Sequence, residues 1–208
     1  MLEALTGTGL AASAGLNAYI PLLTMGLLAR FTDAIGLPTG WQWLSNGWVL
    51  AILALLLAVE VVADKIPVVD HVNDVVQTVV RPTAGGLAFG AGSTLETVTV
   101  TDPAAFFSSH QWVPIVSGVL IALTVHGVKA ASRPVINATT AGVGAPVAST
   151  AEDFGSVAMS VLAILLPVLV VVALAVLVLA AVWVLRRRLQ RRRRAGSVEG
   201  VPTGRLFG

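Results

Sequence analysis

Cysteine is absent from the 208 residues, which excludes disulfides, thiolate metal sites and a cysteine nucleophile, and leaves the redox compartment unmarked. Charge is scarce as well: 12% of residues are Asp, Glu, Lys or Arg, about half the 25% of soluble domains. The N-terminal Met1-Leu-Glu-Ala-Leu-Thr-Gly7 has no basic segment ahead of its apolar run, so a cleaved signal peptide is not expected and the first apolar helix is retained. Motifs are missing too. No Gly-Lys-Ser/Thr follows the glycines at 7, 9 and 15 or at 85, 86, 90 and 92, no serine sits in a Gly-x-Ser-x-Gly elbow, and there is no His-Glu-x-x-His. A hydrolase or metalloprotease would have to be assembled from scattered residues, the glycines read as helix-packing positions, and no cofactor is implied. An enzyme is the less favoured class.

What is present is apolar: 56% of residues are hydrophobic and the mean hydropathy is +0.86. That composition predicts an integral membrane protein with room for five or six helices of about 20 residues. The net charge of +2 misleads, because seven of the 13 basic residues lie at 186–188 and 191–194, and without them six basic groups face 11 acidic ones. Basicity therefore says nothing of nucleic acid. An arginine run directly after a long apolar helix reads as a cytoplasmic anchor in contact with anionic lipid. Asn137-Ala-Thr139 fits a glycosylation sequon and reads as chance in a threonine-rich stretch.

Along the chain, Leu10 to Phe31 is a first span interrupted by Asn17 and Pro21, and a loop with Trp41, Trp43 and Trp48 suits the headgroup interface. A second span runs from Trp48 to about Asp64, and Pro67 ends it. Val68 to Val80, about 13 residues, is too short to cross and is expected at the interface or re-entering the bilayer. If it is helical, Asp70, Asp74, Thr78 and Arg81 form a stripe opposite Val69, Val72, Val76 and Val80. Thr83 to Val100 is a weak span and Trp112 to about Ala131 a clearer one. Pro134 to Phe154, rich in small residues, suits irregular backbone or a half-helix. Val157 to Leu185 is nearly all apolar, about 43 Å long as a helix, so it must tilt, kink at Pro167 or protrude.

A duplication is readable. Thr6 to Gly15 aligns with Thr83 to Gly92 at six of ten positions, and Trp48-Val and Trp112-Val each begin a helix that reaches a lysine 17 residues later, Lys65 and Lys129. Arg81-Pro82 and Arg133-Pro134 follow, then Thr83-Ala-Gly and Thr140-Ala-Gly. The expected architecture is all-α and polytopic, with about five transmembrane helices, two pseudo-repeats and proline-broken re-entrant or interfacial segments. Its parts are a duplicated core over residues 1–155, a long transmembrane helix over 156–185 and an arginine-rich tail over 186–208.

Ionisable side chains at membrane depth are costly and mark functional sites by default. In the first unit they are Glu60, Asp64, Asp70 and Asp74, with Lys65 and Arg81 as counter-charges. Glu60 and Asp64, four apart, share a helix face. In the second unit His126, Lys129, Arg133, Asn137 and Thr140 recur at three- or four-residue steps, with Pro134 expected to break the helix between them. An acidic face in one unit and a basic face in the other suggest complementary walls of one cavity. The plainer reading places these groups at helix ends, paired with each other. Asp70, His71 and Asp74 also allow a divalent metal, although His71 points about 100° away from Asp70 on a helix. Glu152 and Asp153 read first as an acidic pair at the N-terminus of the last helix, and otherwise as further negative charge for the site.

Gly15-Leu-Asn-Ala-Tyr-Ile-Pro21, Asp64-Lys-Ile-Pro67, Asp70-His71 and Arg81-Pro82-x-Ala-Gly85 are the segments through which the chain resembles a bacterial membrane family, the domain of unknown function numbered four-one-two-six. The resemblance covers roughly Leu5 to Phe154 and makes the last helix and the tail look like additions. It implies a small polytopic protein of the bacterial inner membrane and brings no activity. Three functions stay open: a small transporter or permease, with or without proton coupling, that binds an unknown solute or ion and works as a homo-oligomer; a structural or assembly protein whose charges fasten helices; and an enzyme acting on a lipid or phosphate headgroup.

Overall fold

The computed structural model describes residues 2–93, 112–140 and 143–172, and beyond them 174–176, 178–179, 182–183 and 186–187; the side chains of residues 67, 68, 70 and 71 lie outside that description. All regular structure among the described residues is helical. Helix α1 is Leu2–Leu16, α2 Tyr19–Phe31, α3 Gly47–Ala63, α4 Pro67–Gly92, α5 Trp112–Thr140 and α6 Gly144–Leu165, with a 3-10 helix over Thr39–Ser45. They belong to one compact unit, Met1–Ala173; Leu174–Gly208 forms a second.

Of the expected five spans, the described residues show two helices long and apolar enough to cross a membrane, α5 and α6, or three if the 3-10 helix and α3, bent by 61°, count as one; residues 94–100, the end of the expected span from Thr83, lie outside the description. Three local causes account for the difference. Asn17 divides the first span: its side-chain oxygen accepts from the Tyr19 and Ile20 amides at 3.1 and 3.3 Å, so a new helix starts there and neither piece exceeds 15 residues. Residues 68–80 and the start of the expected next span are one helix, α4, whose 26 residues make it about 39 Å long and whose charges lie between Asp70 and Arg81. The long last helix is interrupted at Leu166, at the kink expected beside Pro167: α6 ends at Leu165 and the chain is helical again over residues 167–172. Leu166, at φ −139° and ψ 65°, leaves the helix one residue before Pro167, as a residue preceding proline tends to do.

Two further expectations fail in the opposite direction. The helix continues through Pro134, as α4 continues through Pro82; each proline withholds one N–H from its own helix, and the flanking residues keep helical geometry. The stretch 134–154 is likewise the end of α5 and the start of α6, not irregular backbone, apart from residues 141–142 outside the description.

The helices are inside-out by the standards of a water-soluble bundle. α3 exposes Trp48, Ile52, Leu55, Val59 and Val62 and buries Glu60. α4 exposes Val72, Val75, Val76 and Val79 and turns Gln77 and Arg81 inward. α5 buries Gly118, Ala122, His126, Lys129 and Arg133 behind an outer row of Val116, Leu120 and Leu123. Large apolar groups outside and small or polar groups inside suit a hydrocarbon surround.

Small residues set the closest seams. A Cβ on Gly118 would collide with the Gly85 carbonyl oxygen and lie 2.6 Å from the Phe89 Cβ, so α4 and α5 meet there nearly backbone to backbone. The two glycine-rich segments aligned in sequence also touch: a Cβ on Gly7 would lie 3.0 Å from the Phe89 ring, and one on Gly92 2.7 Å from Leu10. Beside them, Ser13 bonds to Ser156 and Ser160 through 2.7 Å hydroxyl contacts, joining α1 to α6 without leaving those hydroxyls unpaired.

In the second unit the described residues include Trp183 and Arg187, whose guanidinium carbon lies 3.7 Å from the centre of the indole ring.

Candidate functional site

The charges gather at the C-terminal end of α3. Glu60 and Asp64, one turn apart, point toward α4 and α5, and both are buried. α4 supplies Arg81, fully enclosed, and α5 supplies His126, Lys129 and Arg133, at i, i+3 and i+7 on its inner face. α6 completes the set with Glu152.

Arg81 donates from Nη2 to Glu60 Oε1 at 2.8 Å and from Nη1 to His126 Nδ1 at 2.9 Å. A guanidinium has no acceptor, so Nδ1 is the accepting nitrogen and the proton of a neutral His126 ring sits on Nε2. Nε2 faces the Thr78 hydroxyl at 3.2 Å, and that hydroxyl donates its own proton to the Asp74 carbonyl at 2.8 Å. The two contacts agree on one tautomer.

Asp64 is the hub. Its Oδ1 accepts from Asn73 Nδ2 at 2.7 Å, and its Oδ2 accepts from Lys129 Nζ at 3.0 Å with Arg133 and Arg81 Nη2 at 3.6 and 3.7 Å. Lys129 also reaches Glu152 at 3.0 Å and the Leu16 carbonyl at 3.2 Å, which ties in the end of α1. Arg133 Nη2 donates to Glu152 Oε2 at 2.6 Å. Three carboxylates and three cations thus form a network with no net charge, drawn from α3, α4, α5 and α6.

Lys65 stands apart from the expected set, its ammonium bonded to the Val61 carbonyl of its own helix at 3.1 Å. Asp74 Oδ1 and Asn137 Oδ1 are buried without a hydrogen-bond partner and make none of the ion pairs. Asp70 and His71 lie in the first turn of α4 with side chains outside the described residues, so the metal reading is not met by any observation on them. Among the described residues no three His, Asp or Glu side chains converge as a metal site.

Several members of the network carry little signal in the sequence. Glu152 reads there first as a helix cap, but α6 begins at Gly144, two turns earlier, and the side chain pairs with Lys129 and Arg133. The one signal for that is the surplus of cations in the second unit. Asp153 accepts from Asn17 Nδ2 at 3.0 Å. Asn73, on the Asp64 carboxylate, has no signal beyond its place in the charged run. The groups meet in direct contact with one another. One cavity among the described residues, about 250 Å³, lies between Leu2, Leu10, Met25, Ile35, Leu37 and Ile164.

No curated protein and no solved structure matches the chain. A family model described as a domain of unknown function, DUF4126, matches residues 4–187. The match continues well past Phe154, so the last helix and the first arginines of the tail are part of the family pattern and not additions to it. With 4–187 of its 208 residues matched, the chain belongs to the DUF4126 family.

Proposed function

We propose that this protein is a small, multi-pass transporter or permease of the bacterial inner membrane, with the network around Asp64 as its working centre. The observation that carries this reading is a six-member ion-pair network buried among helices whose outer faces are apolar. Stability alone is a poor reason to keep it, because well-packed apolar side chains generally hold helices at least as firmly as buried ion pairs. A network able to exchange partners has a use in a protein that must alternate between two arrangements. Arg81 already stands near two carboxylates, Glu60 and Asp64, at 2.8 and 3.7 Å.

The duplicated pattern supports the same reading, since the segments 6–15 and 83–92 lie against each other as two halves of a repeat protein would. The arginine tail then sits on the cytoplasmic side against anionic lipid, and a homo-oligomer enlarges the limited interior of one chain. The solute is a small molecule or ion admitted when the pairs open.

The test is uptake into vesicles containing the purified full chain, across a panel of small inorganic and organic ions and neutral solutes, with and without an imposed pH gradient. Transport predicts accumulation of at least one class that is lost in Arg81→Gln protein of normal assembly. A panel with no movement in wild type, together with Asp64→Asn protein that no longer assembles, overturns it in favour of the fastening role. The saturation of Asp64 by four donor side chains from α4 and α5 is the observation that favours that second reading.

A further inference from the structure

The two carboxylates of α3 differ in how completely they are used. Asp64 receives a donor on each oxygen and has two guanidinium groups beside the second. Glu60, only 2% exposed, receives one hydrogen bond, on Oε1, and its Oε2 has no partner. A buried carboxylate oxygen without a donor is costly, more so than a neutral acceptor in the same position.

A second orphan lies nearby. Gln77, also 2% exposed, sits one turn before Arg81 on the inner face of α4, and its Oε1 has no donor either. Tyr19, at the start of α2, places its hydroxyl beside the Gln77 amide and near the Glu60–Arg81 pair. Glu60 Oε2 and Gln77 Oε1 are both acceptors, so they cannot satisfy each other. One proton changes that: a carboxylic acid at Oε2 is a donor, for which the unpartnered Gln77 Oε1 is the acceptor on offer and the Tyr19 hydroxyl, near both residues, the relay.

We infer that Glu60, and not Asp64, is the proton-binding group of the network, with Gln77 and Tyr19 as its hydrogen-bond partners and Arg81 as the side chain its protonation releases. This deepens the transporter reading and rests on it for its use, although the protonation itself does not. The step is one of proton transfer alone: a proton from water adds to Oε2, Glu60 loses its charge, and Arg81 Nη2 is left to the nearer remaining carboxylate, Asp64. The charged and titratable groups around Glu60 are Arg81 from α4, Lys129 from α5, Asp64 at the end of its own helix and the Tyr19 phenol from α2, with His126 of α5 sharing Arg81 and Glu152 of α6 held by Lys129. With Glu60 neutral the network carries one surplus positive charge, which loosens the hold of α4 on α3 and gives the opening a direction.

Infrared difference spectroscopy of the full chain in lipid vesicles, between mildly alkaline and mildly acidic buffer, reads this without any solute. The expected result is a carbonyl band of a protonated carboxylic acid that appears on acidification, shifts when glutamate is carbon-13 labelled in the wild-type chain, and disappears in Glu60→Gln protein. Asp74→Asn and Asp153→Asn proteins should keep it. Because Glu60→Gln could fail to fold, Glu60→Asp provides a second arm: the band should remain, now insensitive to the glutamate label. A band that survives Glu60→Gln, that keeps its glutamate sensitivity in Glu60→Asp, or that never appears overturns the inference, the last being the outcome if Glu60 stays ionised as a two-pronged partner of Arg81. A Glu60 band without uptake of any solute would leave this inference standing and remove transport.

Discussion

The two lysine and Arg-Pro segments look alike in sequence and do different work. In the second, Lys129 and Arg133 lie on one uninterrupted helix, and both reach the acidic groups. In the first, α3 ends at Ala63, so Lys65 falls in the turn before Pro67 and bonds to its own backbone, while Arg81 is carried by the next helix into the fully buried position. A helix break moves a side chain through space far more than a change of residue type does. The acids differ in the same way, since Glu60 and Asp64 belong to the first segment, and the second borrows Glu152 from α6.

The comparison can be broken most severely at the seam that holds the two segments together. Gly118→Val should place a side chain against the Gly85 carbonyl and the Phe89 Cβ, and the expected outcome is loss of the folded protein, seen as aggregation on size-exclusion chromatography in detergent. Gly127 lies on the same helix, and a Cβ there would meet nothing within 4 Å, so Gly127→Ala should instead raise stability by about 1 kcal/mol through helix propensity.

Next in size are the lysines. Lys129→Met removes the cation shared by Asp64 and Glu152 and should cost about 3–5 kcal/mol, because it leaves buried carboxylates under-compensated. Lys65→Met removes a side chain bonded to its own helix and should stay within about 0.5 kcal/mol. Thermal unfolding of the two variants side by side checks the contrast, and equal losses would place Lys65 in the network.

The arginines should differ less. Arg81→Gln strands Glu60 inside the bundle, whereas the Glu152 partner of Arg133 has a side chain that is 16% exposed and can take up water. Arg81→Gln should therefore be the more destabilising by about 1–2 kcal/mol, within the range for charged hydrogen bonds, as paired unfolding curves would show. A smaller loss than at either arginine is expected at Thr78→Val, which removes the acceptor for His126 Nε2 at the edge of the cluster and should cost about 1 kcal/mol.

Helical class, apolar surroundings and the positions of nearly all the buried charges were legible in the chain, because an ionisable residue in an apolar run stands out wherever it folds. Helix limits were less so. Asn17 is a weak interruption on paper, and it ends a helix because its side chain caps the next one while its amide reaches Asp153. Pro134 looks like a strong interruption, yet α5 runs through it. Each outcome depends on what neighbouring helices supply to the freed backbone groups, which a linear reading does not contain.

Composition by itself determined that this chain folds as helices with apolar surfaces and carries too few charges to scatter them freely. Tertiary structure alone decided which charge meets which. Pairing needs contact within about 4 Å, and the contacts of the network join residues up to 113 positions apart, as between Lys129 and the Leu16 carbonyl. The sequence placed Lys65 and Lys129 in equivalent motifs; the turn after α3 and the continuous α5 sent one to its own backbone and the other to the centre of the network.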